Sequence, residues 1–388
     1  MIFLHDVEVI NEKIKSILID NGLIYFNDAK PKSNSSGSHH LYFDNCIAFP
    51  GLINSHDHLD FNLFPKLGNK VYEDYTEWGN DIHTINKNEI KEVLKVPRHL
   101  RTMWGIYKNL LNGVTTVVHH GNYVSVQDAP IQVYQECNML HSIQLENNWK
   151  LKLNKVFTNK WPYVIHIGEG TNDKANNEIT SLIKWNLFKR KLIGIHGVAM
   201  TAKQSGNFEA LIWCPDSNLF LLGVTASINE LKKNMKIVFG TDSTLSANWN
   251  TWEQLRIARK TALLTDEELF TAFTKSPADL WNIQNTGLLK EGMNADIVIA
   301  RRKENLTGAD AFFNLNPQDI LLILKKGEIV LFDQTLLSQL SLKEKEIQFY
   351  NPIFLNNSCK YVRGSLQLLV NETRKYSPGL KLPFDVNQ

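Results

Sequence analysis

Cysteine is scarce in this chain. Four cysteines among 388 residues, none in a CxxC pair, offer neither a thiolate zinc site nor a disulfide framework. Cys46, Cys137, Cys214 and Cys359 lie far apart, so they are expected to be inert, reduced core thiols in a cytoplasmic protein. An excess of either charge is also missing. Lys and Arg total 42 against 40 for Asp and Glu, a formal net charge of +2. Nucleic acids and anionic membrane surfaces call for a basic excess, so neither is an expected partner. No apolar run approaches the roughly 18 residues of a membrane helix. The opening MIFLHDVEVINEKIK has a short apolar run, but acids interrupt it and no small-residue cleavage site follows, so it reads poorly as a signal peptide. Neither GxGxxG nor GxxxxGK followed by Ser or Thr occurs, which removes support for nucleotide-phosphate folds.

What is present is alternation. From Gly51 to about Asn285, LINSHDH, VTTVVHH, LHSIQLE, YVIHIG, LIGIH, ALIWC and KIVFG read as strands. Helix-like stretches such as NEIKEVLKVPRHLRTMWGIYKNLLN and NEITSLIKWNLFKR separate them. Strand–helix alternation means parallel βαβ units, and seven candidate strands suggest a closed barrel more than an open sheet. The two ends read as β structure. IKSILIDNGLIYF forms a hairpin about Asn21-Gly22, and DILLILKKGEIVLFD turns at Lys326-Gly327. AKPKSNSSGSHH reads as an exposed loop with solvated His39 and His40, and VRGSLQLLVNETRKY as a helix. The expected architecture is α/β: a (β/α)8 TIM-type barrel over 51–285, distorted, plus a small composite β-sandwich domain from 1–50 and 286–388.

Several of these strands end in groups that carry chemistry, which is where barrel active sites lie. His56 and His58 stand two apart in NSHDHLD, on one face of a strand. His166 ends YVIHIG with Glu169 three residues on, His196 ends LIGIH, and Asp242 follows KIVFG. Any one alone is an ordinary hydrogen-bonded residue; the joint set points to a metal site. Neutral imidazoles and a carboxylate suit Zn²⁺, with Fe²⁺ as the alternative. A bound ion lowers the pKa of its water to roughly 7, making hydroxide available at neutral pH. A second carboxylate beside the ion must then move protons, and Glu169 has the spacing for it.

These motifs resemble the amidohydrolase superfamily, in the branch of guanine deaminase, S-adenosylhomocysteine deaminase and the triazine chlorohydrolases. PGLINSHDHLD resembles its first-strand motif, HIGEG its HxxE, IHGVAMT its sixth-strand His motif and FGTDSTLSAN its GTDS motif. WCPDSNLFLLG is similar to the CPxSN strand of guanine deaminases, and GLLKEGMNADIVIA with ILLILKKGEIVLFD to the closing β domain. The resemblance implies that His56, His58, His166 and Asp242 hold one divalent metal and that Glu169 shuttles protons. His196 would contact the attacking water or the substrate, and Asp242 would also accept a proton. Candidate substrate contacts are His119 and His120 at the end of VTTVVHH, Trp78 in YTEWGND and Asn218 in CPDSN. Their structural alternatives are core histidines, plain packing and a strand-end loop.

The implied reaction is hydrolytic deamination of a small nitrogen heterocycle of purine, pterin, pyrimidine or triazine type. A cyclic amidase, a dechlorinase and a catalytically inactive barrel used for binding stay open, as does a homodimer. A two-metal amidase would need a bridging carboxylated Lys, but Lys150, Lys152, Lys155 and Lys160 sit in a polar, helix-like stretch. Only about twenty residues separate LHSIQLE from His166, room for a short helix such as NWKLKLNKVFTN. One βα unit is expected to be reduced there. The segment with which guanine deaminases hold the purine has no counterpart in it, so guanine is not the expected best substrate.

Overall fold

The structure, a computed structural model, describes residues 1–10, 14–26, 38–126 and 128–386. The chain opens with β1 (Ile2–Val9), β2 (Ile14–Asp20), β3 (Leu23–Phe26), β4 (His39–Tyr42) and β5 (Cys46–Pro50). It closes with β14 (Ile297–Arg301), β15 (Ile320–Lys325), β16 (Glu328–Asp333), β17 (Tyr350–Leu355) and β18 (Ser358–Arg363). All ten join one sheet, in the order β17-β18-β16-β15-β14-β5-β1-β2-β3, with β4 added beside β1. The seam between the two chain ends is the antiparallel pair β5–β14, from Pro50 opposite Ile297 to Cys46 opposite Arg301. The Asn21-Gly22 and Lys326-Gly327 turns form as expected, all four residues taking positive φ. The turns pack backbone to backbone: a Cβ on Gly22 would lie 2.7 Å from the Lys326 carbonyl oxygen. Most of the Ser-rich segment, residues 29–37, lies outside the described residues. His39 and His40 do not sit in a loop; they pair in β4 with β1, and His40 Nδ1 is 3.1 Å from His5 Nε2.

Eight parallel strands fill the middle. β6 (Leu52–Asp57), β7 (Val114–His119) and β8 (Gln132–Tyr134) form one sheet. β9 (Asn138–Ser142), β10 (Tyr163–Ile167), β11 (Leu192–His196), β12 (Ala210–Trp213) and β13 (Lys236–Phe239) form the other. A hydrogen bond from Asp242 N to His56 O, 3.1 Å, links the end of β13 to β6. Strands such as β6, β7 and β10 are buried along their whole length, as parallel strands covered on both faces are. Seven of the eight were legible. β8 was not: it has three residues, all half-buried, too few to show a period. A reduction of βα units that the sequence did not show lies between β7 and β9. Only residues 135–137 separate β8 from β9, and among the described residues no helix lies between β7 and β9. The interval before His166 does hold the short helix expected there, Trp149–Leu153.

The long helical stretch before β7 is two helices, α2 (Lys87–Leu94) and α3 (Arg98–Leu111), and a helix not foreseen, α1 (Tyr75–Ile85), precedes them. Pro97, with ψ 140°, ends one run and starts the next, because proline cannot donate to the preceding turn. After Leu340, β17 and β18 were not foreseen, whereas the helix Leu366–Tyr376 was. All four cysteines are free, and three are buried. No helix among the described residues is long and apolar enough to cross a membrane.

α3 packs on the turn that follows His58. A methyl at Gly105 would overlap the backbone of Leu59, which cannot yield as a flexible side chain would. Gly105→Ala should therefore lower stability by about 1–3 kcal/mol, the range for overpacking. Denaturant unfolding checks this; an unchanged midpoint would show that the helix can shift.

Candidate active site

The charged and imidazole groups meet where the parallel strands end. His56 is the fifth residue of β6 and His58 follows the strand by one, so alternation brings both to the same side, ring centroids 4.8 Å apart. His58 Nε2 lies 3.2 Å from His166 Nε2, at the end of β10. Asp242 Oδ1 lies 3.6 Å from His56 Nε2 and 3.9 Å from His58 Nε2. Donor atoms of His56, His58 and His166 fall within 4.8 Å of one another, as do those of His56, His196 and Asp242. His196 and Asp242 take left-handed backbone, φ 70° and 54°. Such conformations are costly for non-glycine residues and concentrate at functional sites.

Hydrogen bonds fix the tautomers. His166 Nδ1 is 2.9 Å from the carbonyl of His141, which can only accept, so Nδ1 carries the proton and Nε2 presents a lone pair. His196 Nδ1 is 2.8 Å from Asn218 Oδ1, while Asn218 Nδ2 donates to Thr225 Oγ1, which leaves His196 Nε2 free to face Glu169 Oε1 at 3.6 Å. Burial first, then neighbouring imidazoles, holds His58, His120 and His166 well below the ordinary histidine range, so they are neutral. Burial works against the Asp242 carboxylate too, yet His56 and other imidazoles hold it ionised, well below its ordinary range. Ser217 Oγ and Ser246 Oγ each stand 2.9 Å from its Oδ2, and Ser243 N donates to Oδ1. Glu169 goes the other way: burial pushes it up to about 7.

The donor set fits a divalent cation. Both ring nitrogens of His56 are buried and have no hydrogen-bond partner in the protein, a cost of about 1–3 kcal/mol that coordination would remove. Three imidazoles with one carboxylate are the chemistry zinc favours.

Behind the ligands lies a second polar layer that the motifs do not reveal. Lys108, on α3, is fully buried. Its Nζ is 3.1 Å from Asp57 Oδ2, 2.9 Å from Asn62 Oδ1 and 3.3 Å from the carbonyl of Asp242. Asn109 and Asn62 donate to the two Asp57 oxygens at 2.7 and 2.8 Å. The central residue of HxH is thereby tied to Asp242, three residues past β13. Its only sequence signal was a lysine inside an apolar helix face beside an aspartate inside a buried strand.

A cavity of about 350 Å³ opens over the cluster. His58, His166, Glu169, His196, Asp242 and Trp78 line it. His141, which no motif marks, lines it too. His120 packs within the histidine cluster, 4.5 Å from His166 by ring centroid, without lining the cavity. Three expected substrate contacts, His119, His120 and Asn218, thus do not line the cavity. His119 turns aside, its Nε2 3.3 Å from the carbonyl of Asn122, because the alternation that directs His120 inward directs its neighbour away. Asn218 stands behind His196 and orients it instead of reaching the cavity.

The chain is similar to known proteins in sequence and in fold. Residues 159–330 match the amidohydrolase family. The motifs had pointed there. A 5-methylthioadenosine/S-adenosylhomocysteine deaminase of Caldicellulosiruptor saccharolyticus is 30% identical over 175 residues, 40% of this chain and 41% of that protein. The aligned stretch thus spans about two fifths of that relative's length. A 5'-deoxyadenosine deaminase of Methanococcus aeolicus is 25% identical across 77% of this chain and 84% of its own. The fold matches a zinc-bound adenosine deaminase of Xanthomonas campestris at TM-score 0.69, covering 98% of each chain at 13% identity. It also matches a guanine deaminase of C. acetobutylicum at TM-score 0.60, covering 84% of this chain and 99% of that one at 14% identity.

Two outcomes follow from the site. Lys108→Met leaves Asp57 buried without its cation and should cost about 3–5 kcal/mol, while adding Asp57→Asn should recover most of it. Denaturant unfolding of both variants checks this, and a loss under 1 kcal/mol for the single variant would contradict it. Glu169 is raised above its ordinary value of 4.5 to about 7, so the stability of its neutral form is full below 4.5 and lost as pH rises through about 7. Metal-free Glu169→Gln should lack that loss, which is about 1.4 kcal/mol for each tenfold fall in proton concentration between those two values. Parallel pH–stability curves for the two proteins would contradict the assignment.

Proposed function

We propose that this chain is a metal-dependent hydrolytic deaminase acting on a small nitrogen heterocycle. Residues 51–285 form its hydrolase barrel, and 1–50 with 286–388 a composite β domain. The family match and the deaminase relatives support a hydrolase acting on carbon–nitrogen bonds other than peptide bonds. The observation that carries the reading is the division of labour at the cavity floor. The donor atoms of His56 lie within reach of those of His58 and His166 on one side and of Asp242 and His196 on the other, and a second carboxylate, Glu169, stands beside them, facing His196.

One divalent cation, zinc in preference to iron, would be held by His56, His58, His166 and Asp242. When bound, it supplies a water acidified to a pKa of about 7. The protein's own groups do the rest. Glu169, poised near neutrality, takes one proton of the water on its carboxylate and delivers it to a ring nitrogen. His196, locked by Asn218, aims Nε2 at the same space and orients the water oxygen or the developing oxygen on carbon. Asp242, ionised, takes the second water proton, which leaves with nitrogen. The carbon–oxygen bond forms, the carbon–nitrogen bond breaks, and ammonia departs with an oxo-heterocycle as co-product. Guanine should rank low among substrates, since the helix before His166 is a single short one.

Elemental analysis should give about one equivalent of zinc per chain. His166→Ala should strip it, whereas His196→Asn should keep it and lose rate. Glu169→Gln with metal retained should lose about 10²–10⁴-fold in kcat for ammonia release, roughly 3–5 kcal/mol. Two equivalents with activity tracking the second, or a Glu169→Gln loss below tenfold, would overturn this account. Chloride release without ammonia would move the chemistry to dechlorination.

A further inference from the structure

The floor of the cavity is polar, but its walls are not. Phe61 and Phe64 follow the HxH strand, and Trp78 and Ile82 project from α1. Ile90 and Leu94 project from α2, a helix with no buried residue whose apolar side chains face this space. Among the described lining residues there is no Lys or Arg, and no carboxylate besides Glu169 and Asp242. The two amphipathic aromatics on α1 have their polar tips engaged elsewhere. Trp78 Nε1 donates to the carbonyl of Leu67 at 2.8 Å, and the Tyr75 hydroxyl donates to Glu178 Oε1 at 3.2 Å. Each therefore offers only a ring face. At the rim, Leu94 and Leu145 are 53% and 62% exposed. Unsatisfied apolar surface around a concave site marks ligand contact.

We infer that the cavity walls bind an apolar arm on the heterocycle, alkyl, thioalkyl or aryl, and reject arms ending in carboxylate, phosphate or a zwitterion. The inference rests on the deaminase reading for the position of the ring but not for the character of the walls. An anionic arm would lose its water against walls that hold no Lys or Arg and whose imidazoles outside the cluster are His83, exposed on α1, and His141, a cost of several kcal/mol for an ion left without a fixed countercharge. Each methylene of an apolar arm instead gains about 0.8 kcal/mol on burial, roughly fourfold in affinity. The volume, about 350 Å³, sits at the small end of ligand sites, enough for a ring with a short arm.

The test uses zinc-loaded protein and two series of 6-aminopurines. One carries straight alkyl arms of increasing length, and the other carries the same arms ending in carboxylate. Calorimetry reads binding, and ammonia release is followed in parallel. Affinity should rise roughly fourfold per methylene along the alkyl series until the cavity fills. The carboxylate series should bind at least 100-fold more weakly at matched length. Leu94→Lys combined with Leu145→Lys, both at the exposed rim, should narrow that gap below tenfold. Equal affinity of the two series, or no binding by any alkyl probe, overturns the inference. The expected affinity pattern without ammonia from any probe upholds the apolar walls and removes the deaminase reading. Ammonia release indifferent to the arm does the reverse.

Discussion

One buried ammonium ties the HxH segment of the centre to the loop that carries Asp242. Lys108 reaches from α3 to Asp57, between His56 and His58, and to the backbone of Asp242, three residues past β13. Taking both charges out of water is costly, and it is tolerated because Asn62 and Asn109 complete the hydrogen bonding. The same polar layer reaches Thr241 through Asn54, whose Oδ1 accepts from the Thr241 amide at 3.0 Å. His56, His58 and Asp242 are thus set at a common spacing before any ligand arrives. Preorganisation of this kind keeps donor atoms within reach of one centre, and it makes the position between the histidines as constrained as the histidines themselves.

Burial then sorts the ionisable groups. Burial holds His58, His120 and His166 well below the ordinary histidine range, so their ring nitrogens can offer lone pairs. Glu169, buried with no hydrogen-bonded cation, is raised to about 7 and can carry a proton in either direction near neutrality. Asp242, equally buried, stays ionised because imidazoles and hydroxyls surround it. Two carboxylates a few residues from shared neighbours are pushed apart by environment, the arrangement an acid–base reaction requires.

The site was largely legible because its residues occupy strand ends, where a polar group after an apolar run stands out. HxH, HxxE, the lone His196 and Asp242 all come together as the spacing implied. What was not legible depends on partners distant in sequence. Lys108 and Asp57 are 51 residues apart, and neither signals the other. The choice between His119 and His120 turns on which side of β7 faces inward, a register that one residue of slip reverses. β8 escaped because three half-buried residues carry no period. At the periphery, β17 and β18 hide in a mixed tail, where half-buried alternation is weak.

The central claim is that one cation is shared by His56, His58, His166 and Asp242, with Glu169 beside it. Anomalous diffraction at the zinc edge, from crystals of the zinc-loaded protein, tests this most directly. The account requires a single strong peak per chain, within about 2.0–2.2 Å of three imidazole nitrogens and one Asp242 oxygen, with Glu169 outside coordination distance. Two peaks bridged by a side chain, or one peak ligated by Glu169 in place of Asp242, would contradict it.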